Sequence, residues 1–232
     1  MSFLSFLSDF LALFYPKYCN ICDRTLVEGE EYLCTHCLSG LPKTNFHKQK
    51  NNPVEMTFAG RVPVFRATAF CFFRKDNSIQ KVIHQLKYKG NKEIGRYLGN
   101  LLGLSLLESD DFKSIDMIIP ISLHPQKMKK RGYNQSEYIA MGIGEAMSKQ
   151  VDVSSLIRTV HTSSQTRKMR YSRWENVSAI FQLKSSEHLR GKHILLVDDV
   201  VTTGATLEAA AQVLLNIPDT KISVACLGCA MG

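Results

Sequence analysis

Apolar residues recur along this chain with two different periods, and the two alternate. The run Ile194-Leu195-Leu196-Val197 is apolar throughout, rich in β-formers and too short for a helix, which is the texture of a strand buried on both faces of a parallel sheet. Ile115 to Ile121 reads as a second such strand, Leu156 to Val160 as a third short strand and Lys221 to Leu227 as a last one. Between them the period lengthens. Ile79, Val82, Ile83 and Leu86 share one helical face, which Lys87-Tyr88-Lys89-Gly90 ends with glycine at a C′ position. Ile94, Leu98, Leu101, Leu102 and Leu106 mark a second helix, Ser136 to Lys149 a third, and Leu207, Ala210, Ala211 and Leu214 a fourth. Val62 to Arg74 reads as a β-hairpin or an edge strand. Strands near 115–121, 156–160, 193–199 and 221–227 alternating with helices predict right-handed crossovers. The result is an α/β fold, a parallel sheet with helices on both faces. Ligands of such sheets bind at the carboxyl ends of the strands.

Ahead of this pattern the texture changes. Ser2 to Tyr15 is apolar and aromatic, without the basic start and small-residue cleavage site of a secretory signal, and too short and interrupted to span a bilayer. It reads as a helix docked on the protein's own surface, with a membrane-surface helix as the competing reading. Pro42 to Arg61 is polar, broken by Pro42 and Pro53, and reads as a linker. Of seven cysteines, Cys19, Cys22, Cys34 and Cys37 form two CxxC pairs eleven residues apart, with Glu28-Gly29-Glu30 as a hairpin turn between them. Four thiolates from two knuckles make a closed tetrahedral site, so this segment reads as a ribbon holding structural zinc in a reducing compartment. The alternative is reduced, metal-free thiols. Cys226 and Cys229 form a third CxxC, read as structural because Cys226 lies within a strand, with a redox role as the alternative.

The chemistry concentrates after the strongest strand. Asp198 and Asp199 stand where it surfaces, followed by Thr202-Thr203-Gly204-Ala205-Thr206 and then a helix. The first-turn N–H groups of that helix have no intrahelical partner and carry the positive end of its dipole, which suits a phosphate. Paired carboxylates suit a sugar diol or a magnesium ion. The unbroken stretch Val197-Asp198-Asp199-Val200-Val201-Thr202-Thr203-Gly204-Ala205-Thr206 resembles the signature of the type I phosphoribosyltransferases, which bind 5-phosphoribosyl-1-pyrophosphate (PRPP). The resemblance implies that the acidic pair contacts the ribose, with magnesium on the pyrophosphate, and that the Thr-Gly loop holds the 5-phosphate.

A net charge of +8 suits phosphorylated ligands or nucleic acid without choosing between them. Two basic clusters carry much of it. Lys127, Lys129, Lys130 and Arg131 follow the Ile115–Ile121 strand as a cationic loop on the same sheet edge as the acidic pair, where a departing pyrophosphate needs charge. Arg158, Arg167, Lys168, Arg170 and Arg173, with His161, Tyr171 and Trp174, form an aperiodic segment that Val177 to Leu183 returns as a strand. Such a loop can close over a ligand to exclude water. It can also grip a single strand of nucleic acid, with Trp174 and Tyr171 as stacking platforms, or be a solvated surface loop.

Over nearly its full length the chain resembles the ComF family. The resemblance rests on the four-cysteine module, Leu86-Lys87-Tyr88-Lys89-Gly90, Pro120-Ile121-Ser122-Leu123-His124, Lys130-Arg131-Gly132-Tyr133-Asn134-Gln135, Arg158-Thr159, Gln165-Thr166, Arg173, Asn176-Val177, Phe181 and the PRPP-type loop. It implies a type I phosphoribosyltransferase-like domain at 60–232, a zinc ribbon at 18–45 and an apolar helix at 1–17. It also implies a cytoplasmic protein linked to DNA uptake or nucleotide metabolism. Two functions follow. As a phosphoribosyltransferase, the chain uses Asp198, Asp199, Lys130 and Arg131 for catalysis, binds PRPP with Thr202 to Thr206, Lys129 and Arg131, and has His124 and His161 as acid–base candidates. As a non-catalytic module, it binds single-stranded DNA through Arg167, Lys168, Arg170, Arg173 and Trp174, or a DNA-processing or helicase-like partner.

Overall fold

The structure is a computed structural model that describes residues 16–75, 77–159 and 180–230. The expected N-terminal helix lies outside the described residues, as do His161, Arg167, Lys168, Arg170, Tyr171, Arg173 and Trp174. Among the described residues no helix is long and apolar enough to cross a membrane.

The ribbon opens the description. Cys19 lies in a knuckle closed by Cys19 N to Arg24 O and Asp23 N to Cys19 O bonds of 2.8 and 3.0 Å. A turn follows at Val27–Glu30, with Gly29 at φ +85° and Glu30 N on Val27 O at 3.0 Å. The expected hairpin is reduced to one bridge, Tyr18 to Thr25, and the second CxxC leads into a short helix, α1 (Thr35–Ser39).

A five-stranded sheet follows. Strand β1 (Arg66–Phe72) is an edge strand, not a hairpin, and pairs in parallel with the last strand. Helices α2 (Ser78–Tyr88) and α3 (Lys92–Leu106) come next, then β2 (Met117–Pro120), α4 (Pro125–Arg131), α5 (Gln135–Met147) and β3 (Gln150–Val151). Strands β4 (Leu156–Arg158) and β5 (Phe181–Leu183) precede β6 (His193–Val201), α6 (Ala205–Leu214) and β7 (Lys221–Cys229). The order is β1-β7-β6-β2-β3, all pairings parallel. Central β6 alternates between two cores. Leu195 and Val197 face α2, α3, α5 and the ribbon, while Ile194 and Leu196 face α6, Phe46, Phe58 and Leu189.

Two expectations need correction. Leu156–Val160 was expected in the parallel sheet, but β4 pairs antiparallel with β5 in a separate two-stranded sheet. The edge beside β2 is taken by β3, which is too short to show a period. Asp152 then turns the chain away by accepting from Ser154 N and Ser155 N at 2.8 and 3.0 Å. The expected cationic loop after β2 is helix α4, with His124 at the N-cap, Pro125 at N1 and Gly132 left-handed at its end.

Glycine seats α5 against α3. A Cβ on Gly142 would lie 1.9 Å from Arg96 O, and one on Gly99 would lie 2.2 Å from Ile139 O, so the two backbones touch. This crossing fixes the N-terminus of α5, which faces the acidic pair.

Candidate functional site

Asp198 and Asp199 stand at the carboxyl end of β6. Asp199 is buried and Asp198 partly so. Both are held from the start of α5, a helix that Asn134 caps by accepting from Ser136 N at 3.2 Å. Ser136 Oγ donates to Asp198 Oδ1 at 2.9 Å and Gln135 Nε2 donates to Asp199 Oδ2 at 2.8 Å. Lys87, from the last turn of α2, places Nζ 2.9 Å from Asp199 Oδ1. Burial, and then the adjacent Asp199 carboxylate, raise Asp198 above the usual carboxylate range, against the bonds from Asp199 N and Ser136 and the charge of Lys87. A cation or a hydroxyl-rich ligand at the pair relieves that repulsion.

The Thr202–Thr206 loop lies next to it. Thr202 and Thr203 are exposed, and Gly204 takes φ +72° at the N-cap of α6. No side chain caps the first turn of α6, whose N–H groups face the loop. Gly204 is required twice, by its backbone angle and by a Cβ position only 2.9 Å from Thr57 Cγ2. Arg61 braces the loop. Its Nη1 donates to Thr203 O at 2.8 Å and to Thr57 O at 3.0 Å, and its Nη2 pairs with Glu208.

Because α4 is a helix, its cations separate. Lys127, Lys130 and Arg131 line a cavity of about 340 Å³ with Lys87, Tyr88, Gly90 and Tyr133. Lys129 lines a different cavity of about 520 Å³, walled by Pro120, Leu123, Leu156 and Arg158. Arg131 reaches the acidic pair through Gln135, whose Oε1 it meets, and its guanidinium lies 5.7 Å from the Tyr88 ring centroid. His124 accepts from Gln126 N at 3.3 Å as a helix cap.

The four ribbon cysteines converge with their Sγ atoms within 4.8 Å of one another, and Cys22 and Cys34 are 3.7 Å apart. Zinc–thiolate bonds of about 2.3 Å put tetrahedral sulfurs about 3.8 Å apart, so this cluster could hold a metal such as zinc. Burial works against a Cys19 thiolate, but the N–H groups of Cys34, Cys22 and Ile21 outweigh it and lower that thiol. Cys34 N donates to Cys19 Sγ at 3.3 Å.

Lys87, Ser136 and Arg61 were not on the expected site. Lys87 and Gln135 stood inside motifs quoted for the family resemblance, whereas nothing local marked Ser136 or Arg61.

Residues 140–229 match the phosphoribosyl transferase domain family. The chain is 30% identical over 220 residues to the DNA utilization protein YhgH of Escherichia coli O157:H7, covering 94% of this chain and 92% of the relative. It is 28% identical to competence protein F of Haemophilus influenzae over 62% of this chain and 64% of that one. Identity to competence protein ComFC of Bacillus subtilis is 25%, over 86% of this chain and 78% of that one. The allosteric regulatory enzyme of purine biosynthesis superposes over 62% of this chain and 30% of its own, at 17% identity and a TM-score of 0.45. The sheet is of the phosphoribosyltransferase type, with a four-cysteine module ahead of it.

Proposed function

The chain belongs to the ComF family, and from that premise we propose that it binds magnesium-PRPP, or a closely related ribose phosphate, at the carboxyl edge of its sheet. The observation that carries the reading is the convergence of three parts at one edge. They are the Asp198–Asp199 pair, the Thr202–Thr206 loop on the N-terminus of α6, and the cationic cavity of Lys87, Lys127, Lys130 and Arg131. The acids take the ribose hydroxyls and magnesium, the loop N–H groups and hydroxyls take the 5-phosphate, and the cavity neutralises the pyrophosphate. Phosphoribosyl transfer is the reaction this layout suits. An acceptor bonds to C1 as the C1–O bond breaks, and pyrophosphate leaves with the electron pair. The protein's contribution is positioning and charge. A four-thiolate zinc site needs reduced cysteines, which fits the cytoplasm.

Calorimetric titration of magnesium-PRPP tests the reading. Wild type binds, and Asp198→Asn/Asp199→Asn does not. No heat from folded, zinc-loaded wild type sinks it.

A second reading has its own support in the relatives named for DNA utilization and competence, and in the charge of +8. It has the chain bind single-stranded DNA or a DNA-processing partner, with Arg167, Lys168, Arg170, Arg173 and Trp174 as the gripping residues. Affinity for an oligonucleotide then falls steeply with salt as counterions are released. Binding that ignores salt counts against it.

A further inference from the structure

Asn20 sits between the first two ribbon cysteines, and all four of its polar atoms are engaged. Its backbone N–H and its Nδ2 both donate to Tyr32 O, at 3.0 and 2.8 Å. Its Oδ1 accepts from Asn91 Nδ2 at 2.7 Å, and its carbonyl accepts from Gln85 Nε2 at 2.7 Å. Lys81 Nζ adds a bond to Ile21 O at 3.2 Å. The metal knuckle is therefore tied to α2 at Lys81 and Gln85, and to the turn after α2 at Asn91.

Two residues beyond Gln85, Lys87 reaches Asp199. The carbonyl of Leu86, between them, receives the Tyr133 hydroxyl. Lys87 lies in the last turn of an eleven-residue helix, the part most prone to fray, and a helix of that length is marginal without tertiary contacts. The ties from Asn20 bracket this turn, at Gln85 before it and at Asn91 after it.

We propose that Asn20 is a positioning residue for the ribose-phosphate site. By tying the metal knuckle through its carbonyl to the end of α2, and through its side chain to the turn after it, it holds Lys87 on Asp199. The inference rests on the functional reading above for its ligand, but not for its geometry.

The test uses the full, zinc-loaded chain. Gln85→Ala removes the bond to the Asn20 carbonyl from the helix side and leaves the knuckle untouched, while Asn20→Ala keeps that carbonyl and removes the side-chain bonds to Asn91 and Tyr32. Each weakens magnesium-PRPP binding roughly tenfold, within the range for residues coupled in one hydrogen-bond network, with zinc content unchanged. Lys87→Met weakens binding by itself, and adding Gln85→Ala to it costs nothing further. Wild-type affinity in zinc-loaded Gln85→Ala, or additive losses in the double variant, overturns the proposal. A second readout needs no PRPP. Amine labelling followed by mass spectrometry compares Lys87 with exposed Lys89, and Lys87 labels faster in Gln85→Ala than in wild type. An unchanged Lys87 rate overturns the proposal even if PRPP proves not to be the ligand. Absent PRPP binding by wild type fails the functional reading alone.

Discussion

The chain writes Cys-x-x-Cys three times, and the third instance behaves unlike the other two. Cys19, Cys22, Cys34 and Cys37 converge, because turns and the start of α1 fold each pair back on itself. Cys226 and Cys229 lie in the extended β7, where three residues span roughly 10 Å, and both are buried. Burial, and then the Asp198 and Asp199 carboxylates, push the Cys226 thiol well above its ordinary value, and burial raises Cys229 to about 11. Backbone N–H groups pull Cys19 the other way. The spacing is common to all three. The residues in and around it decide the chemistry, since Asn20-Ile21 followed by left-handed Asp23 makes a knuckle, while Val224, Ala225 and Leu227 make a strand.

The sharpest way to break this contrast is Cys34→Ser. The change removes one of the four sulfurs and keeps the backbone N–H that supports Cys19. Structural zinc in such small sites contributes on the order of 10 kcal/mol of folding free energy. The variant loses its zinc by metal analysis, and limited proteolysis cuts within residues 18–41. Stoichiometric zinc in Cys34→Ser defeats the four-thiolate site. Cys226→Ser is the counterpart and has a smaller effect. A hydroxyl placed at this buried position costs about 1–3 kcal/mol. For a chain of this size that is a Tm lower by about 2–4 °C per kcal/mol, with zinc retained. Zinc lost from Cys226→Ser would show the third pair to be part of the metal system.

What could be read from the residues was what neighbours settle among themselves. The ribbon cysteines and the run from Val197 to Thr206 carry strand, acids, loop and helix start within one short stretch, so their chemistry is local. Strand β3 was unreadable because two residues have no period. Helix α4 had legible signals in His124-Pro125 and Gly132, but its run of cations read as a loop. The partners of the acidic pair were the least legible part. Lys87 and Gln135 reach Asp199, Ser136 reaches Asp198, and Arg61 reaches Thr203, all across the fold. Gly99 and Gly103 carried no local signal, and acquire meaning only once α5 lies against them at Ile139 and Ile143.

The finest test joins the two regions, because Cys226 is the cross-strand partner of Asp198. Burial, then Asp199, holds the Asp198 carboxyl above its unfolded value. A carboxyl raised on folding favours the folded state most at low pH, and that contribution is lost as pH rises through the folded value. Above the folded value the ionised Asp198 is therefore a cost, which Asp198→Asn removes while keeping an oxygen for the Ser136 hydroxyl. We expect the ligand-free variant to melt a few degrees higher at pH 8, for a gain of about 1 kcal/mol, with the gain shrinking toward pH 4. The Cys226 thiol, losing one of the charges that raise it, then titrates lower in unfolding-free thiol labelling. Magnesium-PRPP binding weakens in the same variant, so stability and binding move in opposite directions. A lower Tm at pH 8 would mean that Lys87 and the surrounding hydrogen bonds outweigh burial, and that the pair is held together as structure and not kept in tension for a ligand.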